Sequence, residues 1–469
     1  MKITLYRSLP EPIRSLVRLT YSSLPFGIRM GRTYRETVKF LRSKEGYGLE
    51  EIEKWQLERL RKVISHAYDN VPGYRQLYDE AHVSPADLKS ADDLKHFPFV
   101  TKEIIRDNLA DFTARNIPAW KHLYRTTGGS TGIPFGFYLL QENIEREFAF
   151  LHSAWKRAGW KPGDSSAVLR GAFVGSEEKF WDYDPFLKDL RLSTYYLNEK
   201  TYSSYRAKLL TSRPTHLQAY PSAANLLAEL IVKNGDSRQI HFSVLLLGSE
   251  NLYSWQTAKI SEAFPSSRIF SWYGHAEQVL FAPMCEKNRA LHMDPFYGYG
   301  EILSDDGREC AIGESGELVG TSFWNTVTPF IRYRTMDIGR RGEMKCPDCG
   351  RPYQLLDSIE GRLQELIVTK SGRYISMTAI NMHSDVFDNV RQFQFRQKES
   401  GKVTFCIVRK DQYGEEDTRK IRTELMKKLG NDMELEITFV ESIQIPKSGK
   451  FRFLIQELPI SYGDHDRPR

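Results

Sequence analysis

Hydrophobic positions recur at helical spacing near the start of the chain, and this pattern predicts two helices between residues 50 and 82. The apolar residues recur mostly three or four positions apart; they are Trp55, Leu57, Leu60, Val63, Ile64 and Ala67. The segment 71–74 contains Pro72, which cannot continue a helix, so the first helix ends there. Thr101 is a typical N-cap for the next helical segment, and a further helix is predicted over 143–159.

Between residues 160 and 275, short apolar runs alternate with helical segments. The predicted strands are 166–169, 242–247 and 269–273, and the predicted helices are 201–211, 222–234 and 253–263. This alternation indicates an α/β domain in which helices connect successive strands. After residue 290 the pattern contains more strands, separated by glycine turns.

A domain boundary is predicted near residues 361 and 362. Beyond it, strands are predicted at 364–370, 390–397, 402–409 and 434–440, with an amphipathic helix at 415–430. The chain of 469 residues exceeds the length at which one core stops growing, roughly 250–300 residues. We therefore predict an α/β protein with an N-terminal arm (1–49), a large multi-layer domain of mixed sheets and helices (50–361) and a small α+β C-terminal lid domain (362–469).

Composition and charge narrow the function classes. The proportions of hydrophobic and charged residues, 41% and 27%, are those of a soluble globular protein, and no apolar run is long enough to cross a membrane. Residues 1–43 contain nine Lys or Arg and two Glu, a charge of +7 within a total of +6. This amphipathic arm either lies on an anionic membrane surface or wraps its own body. Nucleic-acid binding is not expected, because the rest of the chain has no second basic surface.

The five cysteines are an odd number and all lie in the second half of the chain: Cys285, Cys310, Cys346, Cys349 and Cys406. A disulfide framework is therefore not expected, and a reducing cytoplasm is the predicted location.

A glycine-rich segment carries the strongest chemical signal. Between Thr126 and Gly132 the chain has three glycines and four hydroxyl residues, followed by Ile133 and Pro134. Glycines let the backbone approach a ligand closely, and hydroxyl and N–H donors bind phosphate oxygens. The segment is not a Walker loop, because no Gly-Lys-Ser/Thr follows. It predicts a polyphosphate site, with a flexible turn between two strands as the alternative.

Further segments follow this loop in order: Gly248-Ser249-Glu250, Tyr273-Gly274-His275-Ala276-Glu277, Arg332-Tyr333-Arg334-Thr335-Met336-Asp337, Gly361-Arg362 and Ser448-Gly449-Lys450. With them, the chain resembles the adenylate-forming (acyl-activating) superfamily. Within it, the chain is most similar to the phenylacetate–coenzyme A ligase branch, including CapK-like members found among polysaccharide biosynthesis proteins. The resemblance extends from about residue 50 to 457 and includes the segments 66–75, 97–102 and 218–222.

The resemblance implies a reaction in which a carboxylate attacks the α-phosphorus of ATP and an acyl-adenylate forms. The implied pyrophosphate-binding residues are Thr127, Gly128, Gly129, Ser130, Thr131 and Gly132. Glu277 would coordinate Mg²⁺, Asp337 would bind the ribose hydroxyls, and Lys450 would bridge the substrate carboxylate and the α-phosphate. The remaining implied nucleotide-site residues are Gly248, Ser249 and Glu250, which line the base and acyl pocket, Tyr273, which stacks on adenine, and the adjoining Gly274 and His275.

The implied hinge between the two domains lies at Arg362 and the adjoining Gln364-Glu365. The chain departs from the family pattern at three places: Ile133 stands where many relatives have lysine, Met336 occupies a glycine position, and Gln364-Glu365 replaces an acidic pair. The Met336 substitution predicts that the local turn differs.

A second cluster predicts structural zinc. Cys346 and Cys349 form a Cys-x-x-Cys knuckle, which needs two further ligands for a tetrahedral site. Cys285 and His292 are the best candidates, and the resemblance supports them; Cys310 is the substitute for His292. Four protein ligands leave no open position, so the zinc would not be catalytic.

The sequence thus predicts a ligase that uses ATP and Mg²⁺ to activate a carboxylic acid. The acyl group would pass to coenzyme A or to a sugar or lipid-linked glycan, with the arm holding the enzyme near the membrane. Two alternatives remain open. One is a nucleotidyl transferase that leaves AMP on its product, as do deazaflavin-coenzyme adenylating synthetases, which resemble this branch. The other is a degenerate nucleotide-binding scaffold.

Overall fold

The structure is a computed structural model that describes residues 24–127, 135–170, 178–362, 366–372, 374–380, 385–387, 389–444 and 451–458. Its helices, in chain order, are α1 (Phe26–Arg29), α2 (Arg32–Ser43), α3 (Leu49–Asn70), α4 (Pro72–Glu80), α5 (Lys102–Asp107), α6 (Gln141–Ala158), α7 (Tyr202–Ser212), α8 (Pro221–Lys233), α9 (Ser254–Ala263), α10 (Met377–Ile380) and α11 (Glu415–Leu429).

The first ten strands are β1 (Leu123–Thr127), β2 (Phe135–Leu139), β3 (Ser166–Leu169), β4 (Trp181–Asp184), β5 (Asp189–Leu192), β6 (His216–Ala219), β7 (Val244–Gly248), β8 (Arg268–Gly274), β9 (Phe281–Pro283) and β10 (Leu291–His292). The others are β11 (Gly298–Leu303), β12 (Ser315–Ser322), β13 (Tyr333–Arg341), β14 (Leu355–Arg362), β15 (Leu366–Val368), β16 (Tyr374–Ser376), β17 (Val390–Glu399), β18 (Lys402–Arg409), β19 (Glu434–Phe439) and β20 (Leu454–Gln456).

The chain divides into two compact units that are interleaved in sequence. Unit 1 comprises residues 1–46, 141–247 and 259–270, and unit 2 comprises residues 47–140, 248–258 and 271–469. Because both units draw on separate stretches of the chain, neither corresponds to one continuous segment.

Unit 1 is built on strands in the order β4-β5-β3-β6-β7-β8. Strand β3 pairs in parallel with β5 and β6, and β6 pairs in parallel with β7. Strand β7 has the sequence Val-Leu-Leu-Leu-Gly and is buried at every position. A continuous apolar run of this kind is typical of a parallel strand covered on both faces.

The described part of the N-terminal arm packs against helix α6 within unit 1. Tyr34 Oη and His152 Nδ1 lie 3.2 Å apart, within hydrogen-bonding distance. The backbone N–H of Thr33 donates to the Glu145 carboxylate at 3.1 Å and so satisfies one of the open donors at the start of α2. Residues 24–46 therefore follow the interpretation in which the arm wraps its own body.

Unit 2 contains an antiparallel sheet in the order β10-β14-β13-β12-β11 and the hairpin β1-β2. Strand β8 continues into this unit and pairs with β9 through Trp272, Tyr273 and Gly274. Strands β13 and β14 bring Asp337 directly opposite Arg362. The five-stranded sheet thus carries the end of the motif 332–337 and the predicted hinge on neighbouring strands.

The C-terminal part of unit 2 contains a second sheet in the order β19-β18-β17-β20, packed on helix α11. Phe395, Phe405 and Leu425 are fully buried in this core. Tyr253 and Trp255, from the segment that precedes helix α9 and from its first turn, pack against the same core. Cys406 is buried here as well, as its apolar sequence context predicts.

The predicted α/β fold class is confirmed, and most predicted elements are present within one to three residues at each end. The first two predicted helices are α3 and α4, which meet at Val71, and Thr101 Oγ1 accepts a hydrogen bond from the N–H of Ile104 as an N-cap. The division of the chain at residues 49 and 361 stays a prediction. Within the described part of the chain, we find no helix with the length and apolar character that crossing a bilayer requires.

Candidate active site

The end of strand β8 lies beside strand β13 in unit 2. The Tyr273 hydroxyl donates a hydrogen bond to Asp337 Oδ2 at 2.7 Å, and the Asp337 side chain is largely buried. These residues are 64 positions apart in sequence, so the fold brings them together. The second carboxylate oxygen of Asp337 can still accept further hydrogen bonds, since each oxygen has two lone pairs.

A short turn before Asp337 fixes its position. Met336 has a φ of +63°, the left-handed conformation that a glycine would adopt easily. The backbone N–H of Met336 donates to Glu317 Oε1 at 3.2 Å, and that of Asp337 donates to Thr335 Oγ1 at 3.1 Å. Met336 therefore adopts the backbone conformation that glycine favours, at some cost in strain, and the expectation that the turn differs from the family's stays a prediction.

Glu317 anchors this turn from strand β12. Its Oε2 accepts hydrogen bonds from the Arg334 guanidinium at 2.7 and 2.9 Å, in a buried ion pair. Burial raises the pKa of Glu317, while Arg334 acts in the opposite direction. Sequence reasoning missed Glu317; the only signal was a single glutamate within the strand-rich region after residue 290.

Arg332 has a structural role. Its guanidinium forms a buried ion pair with Glu301 at 2.8 Å, donates to the carbonyl oxygen of Phe97 at 2.7 Å, and lies 4.0 Å from the centre of the Phe99 ring. The two arginines of the motif 332–337, Arg332 and Arg334, therefore form ion pairs within the protein.

Glu277 lies in the loop after β8, with a largely buried carboxylate. Its Oε1 accepts a hydrogen bond from the Tyr333 hydroxyl at 3.3 Å, and Oε2 lies 3.6 Å from His275 Nδ1. The Tyr273 and His275 rings meet edge to face at 5.8 Å. The segment 273–277 therefore places a tyrosine, a histidine and a carboxylate within a few ångströms of one another.

The glycine-rich loop connects the two strands of the β1-β2 hairpin, whose last pair is Thr127 and Phe135. Gly128, Gly129, Ser130, Thr131, Gly132 and Ile133 lie outside the described residues, as does the side chain of Thr127. The Phe135 ring stacks on Tyr333 at 6.5 Å, and Tyr333 contacts Glu277. Phe135, the first described residue after the loop, is thus linked to Glu277 through Tyr333.

The segment 248–250 begins at the last residue of strand β7. A Cβ added to Gly248 would lie 2.6 Å from the Trp272 ring, so only glycine fits there. Ser249 has a φ of +69°, and Glu250 Oε1 accepts a hydrogen bond from the backbone N–H of Phe451 at 3.1 Å. Phe451 directly follows Lys450, which lies outside the described residues. The contact joins the C-terminal part of the chain to the end of β7.

Arg362 is the last residue of strand β14 and pairs with Asp337 across the sheet, although its side chain is not described. Gln364 and Glu365 lie outside the described residues. The backbone of the predicted hinge is thus adjacent to the predicted ribose-binding carboxylate.

The predicted metal ligands Cys285, His292, Cys346 and Cys349 converge, with their ligand atoms all within 4.8 Å of one another. The Cys285 and Cys346 sulfurs are 3.9 Å apart, and Cys349 Sγ lies 3.6 Å from His292 Nε2. Tetrahedral bonds of about 2.3 Å to sulfur and about 2.0–2.1 Å to nitrogen require separations of about 3.8 and 3.6 Å. These two separations therefore match those of a tetrahedral zinc site, and the four ligand atoms lie close enough together to share one ion.

The thiols in this cluster have unequal pKa values. Burial raises the pKa of Cys346, but hydrogen bonds from the backbone N–H groups of Cys349 and Asp348 lower it below its usual value. Burial raises the pKa of Cys349 to about 11. A bound dication favours the thiolate form of both. Cys310 is buried elsewhere and is not part of the cluster among the described residues.

Comparison with known proteins finds similarity to coenzyme A ligases and to CapK. Residues 367–457 match the family model of the CapK C-terminal domain. Phenylacetate-coenzyme A ligase of Escherichia coli (strain K12) is 28% identical over 338 residues, which cover 70% of this chain and 74% of that protein. Protein CapK of Staphylococcus aureus is 23% identical over 444 residues, which cover 92% of this chain and 94% of that protein.

A solved structure shares the fold. The crystal structure of 2-hydroxyisobutyryl-CoA ligase in the postadenylation state, in complex with 2-HIB-AMP, aligns with a TM-score of 0.70 and 21% identity. The alignment covers 86% of this chain and 89% of that one.

Proposed function

We propose that this chain, which belongs to the adenylate-forming superfamily in the branch of the phenylacetate–coenzyme A ligases and CapK, activates a carboxylic acid with ATP and transfers the acyl group to coenzyme A. The observation that carries the proposal is the contact between Tyr273 and Asp337, with Glu277 in the same loop. The order of these residues in the sequence predicts that they bind one nucleotide.

In the first half-reaction, a carboxylate oxygen of the acid attacks the α-phosphorus of ATP. The bond from that phosphorus to the bridging oxygen of the β-phosphate breaks, and pyrophosphate leaves. Both reactants are anions, so the enzyme must hold them in line and neutralise the growing charge. In this proposal Lys450 supplies the positive charge, Asp337 holds the ribose, and the hydroxyls and N–H groups of 127–132 hold the pyrophosphate.

Glu277 is the residue that would hold Mg²⁺. One carboxylate fits this ion, which usually keeps several waters and takes its other ligands from the phosphates. When bound, the ion neutralises phosphate charge. The hydrogen bond from Tyr333 to Oε1 orients Glu277 while leaving lone pairs on both carboxylate oxygens.

In the second half-reaction, the sulfur of coenzyme A attacks the acyl carbonyl carbon and AMP leaves. The acceptor must reach the acyl carbonyl carbon, beside which Lys450 lies during adenylation in this proposal, so the C-terminal part has to move. The hydrogen bond from the Phe451 N–H to Glu250 is the contact expected to break, and residues 362–365 are the proposed hinge. A sugar or lipid-linked glycan in place of coenzyme A stays the alternative acceptor that the sequence resemblance implies.

We further propose that Cys285, His292, Cys346 and Cys349 hold a structural zinc ion. The support is the agreement between the measured and the required ligand separations. All four positions are occupied by protein atoms, so the ion would stabilise the 285–292 and 346–349 segments and take no part in acyl transfer.

The test is acid-dependent exchange between pyrophosphate and ATP, measured with aryl, fatty and hydroxy acids in the absence of coenzyme A. Lys450→Ala should reduce the exchange rate by at least about a hundredfold, because a charge used in the transition state is lost, while ATP binding persists. Lys398→Ala, at an exposed lysine on strand β17, is the control and should change neither quantity.

Exchange that is absent with every acid, or unaffected by Lys450→Ala, would contradict the proposal. A final product that retains AMP after an acceptor has been added, in place of free AMP, would identify the nucleotidyl transferase instead. Adding coenzyme A, or a sugar acceptor, to the acid that supports exchange then identifies the acceptor by the product formed.

A further inference from the structure

Unit 1 has a cluster of exposed apolar side chains around helix α1. Leu24 is 43% exposed, Ile28 51%, Phe148 39% and Leu187 47%. They come from three parts of the sequence: the arm, helix α6 and the turn between β4 and β5. We refer to these four residues as the apolar patch.

Ring contacts and a hydrogen bond bring these three parts of the chain together. The Phe26 ring lies 5.5 Å from the His152 ring, and the Phe148 ring lies 5.6 Å from the same histidine. On the other side of α1, Arg29 Nη1 donates to the carbonyl oxygen of Phe186 at 3.0 Å. Because Leu187 follows Phe186, helix α1 connects α6 to the β4–β5 turn.

The arm is fixed in this position. Gly31 has a φ of +102°, and a Cβ there would lie 2.2 Å from the Glu145 carboxylate, so α2 can approach α6 only with glycine at this point. The hydrogen bonds of Thr33 to Glu145 and of Tyr34 to His152 hold the first turn of α2. The patch is therefore already formed in the folded chain, and binding would require no ordering of residues 24–43.

Helix α2, which follows α1 directly, carries exposed basic side chains. Arg35 donates to the carbonyl oxygen of Gly27 at 3.3 Å, next to Ile28, and its side chain is exposed. Arg32 and Lys39 are exposed on the same helix. Residues 24–43 contain five Lys or Arg and one Glu, Glu36, which pairs with Arg32, so this described part of the arm carries a charge of +4.

We propose that the apolar patch and the basic side chains of α2 dock this protein on an anionic lipid bilayer. Ile28 and Leu187 enter the headgroup layer, and Arg32, Arg35 and Lys39 lie near the lipid phosphates. Exposed apolar residues beside a basic face are the combination that binds such a surface, through apolar burial and through attraction to anionic lipids. A ligase docked in this way would act on an acid or an acceptor that is itself associated with the membrane.

The experiment is co-sedimentation of the full chain with phosphatidylcholine vesicles, with and without phosphatidylglycerol. The wild type should bind the anionic vesicles at least about tenfold more strongly, and salt should weaken this binding because it screens the charges. The double variant Ile28→Glu/Leu187→Glu should bind them at least about tenfold more weakly. Leu49→Glu/Ile312→Glu changes two exposed apolar residues of unit 2, 40% and 55% exposed, and should bind as the wild type does.

Three results would overturn the proposal. In co-sedimentation, they are wild-type binding that does not depend on phosphatidylglycerol, and binding by the patch variant that equals that of the wild type. In sedimentation velocity, the third is a dimer that is lost in Ile28→Glu/Leu187→Glu, which would show that the patch mediates dimerisation instead. Pyrophosphate–ATP exchange without lipid should be equal in all variants. Failure of exchange therefore bears on the proposed ligase activity and not on the docking surface.

Discussion

At the residue scale, the candidate site depends on backbone conformations that the side chains do not favour. Met336 and Ser249 both have positive φ values, +63° and +69°, in the two segments that flank the Tyr273–Asp337 contact. A non-glycine residue in this region costs of order 1 kcal/mol or more, and such residues occur preferentially at ligand sites. The hydrogen bond from the Met336 N–H to Glu317 helps to hold the strained turn.

The first prediction concerns Met336. Met336→Gly should bind ATP within about threefold of the wild type, because glycine adopts this φ without strain. Met336→Val should weaken ATP binding by about tenfold or more, since a β-branched residue strongly disfavours positive φ and Asp337 would be displaced. Isothermal titration calorimetry measures both, and equal affinities for the two variants would show that the turn does not position Asp337.

Individual residues of the candidate site also show what could and what could not be predicted from the sequence. Tyr273, Glu277 and Asp337 belong to ordered motifs, so the sequence is enough to predict that they lie close together. Glu317 and Glu301 stand alone in strands, and their ion pairs with Arg334 and Arg332 depend on the pairing of distant strands. Sequence spacing contains no information about such partners.

At the element scale, helices and strands follow from local periodicity, whereas their grouping into units does not. Helix α3 could be predicted from its apolar spacing, and its end at Asn70 from Pro72. The interleaving of the two units could not, because three of the five places where the chain passes between them lie inside β7, helix α9 and β8. A boundary inside a continuous helix or strand leaves no loop or linker as a signal.

The proposed zinc site also belongs to the element scale, because the ion would connect strand β10 to the segment before β14. The strand contact between β10 and β14 has two residue pairs, Leu291–Leu356 and His292–Leu355. Arg351 and Glu286 form a two-point ion pair beside the cluster, at 2.7 and 2.8 Å, and Asn288 lies 3.6 Å from Cys346 Sγ. Because this strand contact is so short, the metal would contribute much of the stability of this region.

The second prediction follows from this arrangement. The purified chain should contain one zinc per molecule by mass spectrometry of the metal, and Cys349→Ala should lose it. The variant should also melt at a temperature lower by about 5 °C or more, since metal binding contributes directly to folding. The control is Cys406→Ala, which changes a cysteine buried in the C-terminal core and should retain the zinc. Loss of zinc from Cys406→Ala, or retention of zinc by Cys349→Ala, would contradict the assignment.

At the scale of the whole molecule, the arm and the body of unit 1 meet at a buried histidine. His152 stacks on Trp160 at 4.4 Å and lies within reach of Tyr34 and beside the Phe26 ring. Burial, together with the nearby Lys156, lowers the pKa of His152 from 6.5 to about 3. The imidazole is therefore neutral in the folded protein at every pH near neutrality. Protonation of His152 at low pH would destabilise the packing of the arm.

The final prediction is the pH dependence that results. Above pH 6.5 the histidine is neutral in both states and its contribution to stability is constant. Between pH 6.5 and about 3 the unfolded chain binds a proton that the folded protein excludes, so the free energy of unfolding falls as pH falls. From pH 6.5 to 5 this loss is about 2 kcal/mol. Urea unfolding followed by the fluorescence of Trp155 and Trp160 measures it.

His152→Phe should remove this part of the pH dependence, because a phenyl ring keeps the aromatic stacking and binds no proton. His241→Phe, at an exposed histidine of the same unit, should leave it unchanged. Equal slopes in the wild type and His152→Phe would mean that the histidine is charged or exposed when folded, and that the arm is held to unit 1 by other contacts. A slope that disappears only in His152→Phe would instead tie acid sensitivity to the junction that also forms the proposed lipid-docking patch, since Phe26 and Phe148 both contact this ring.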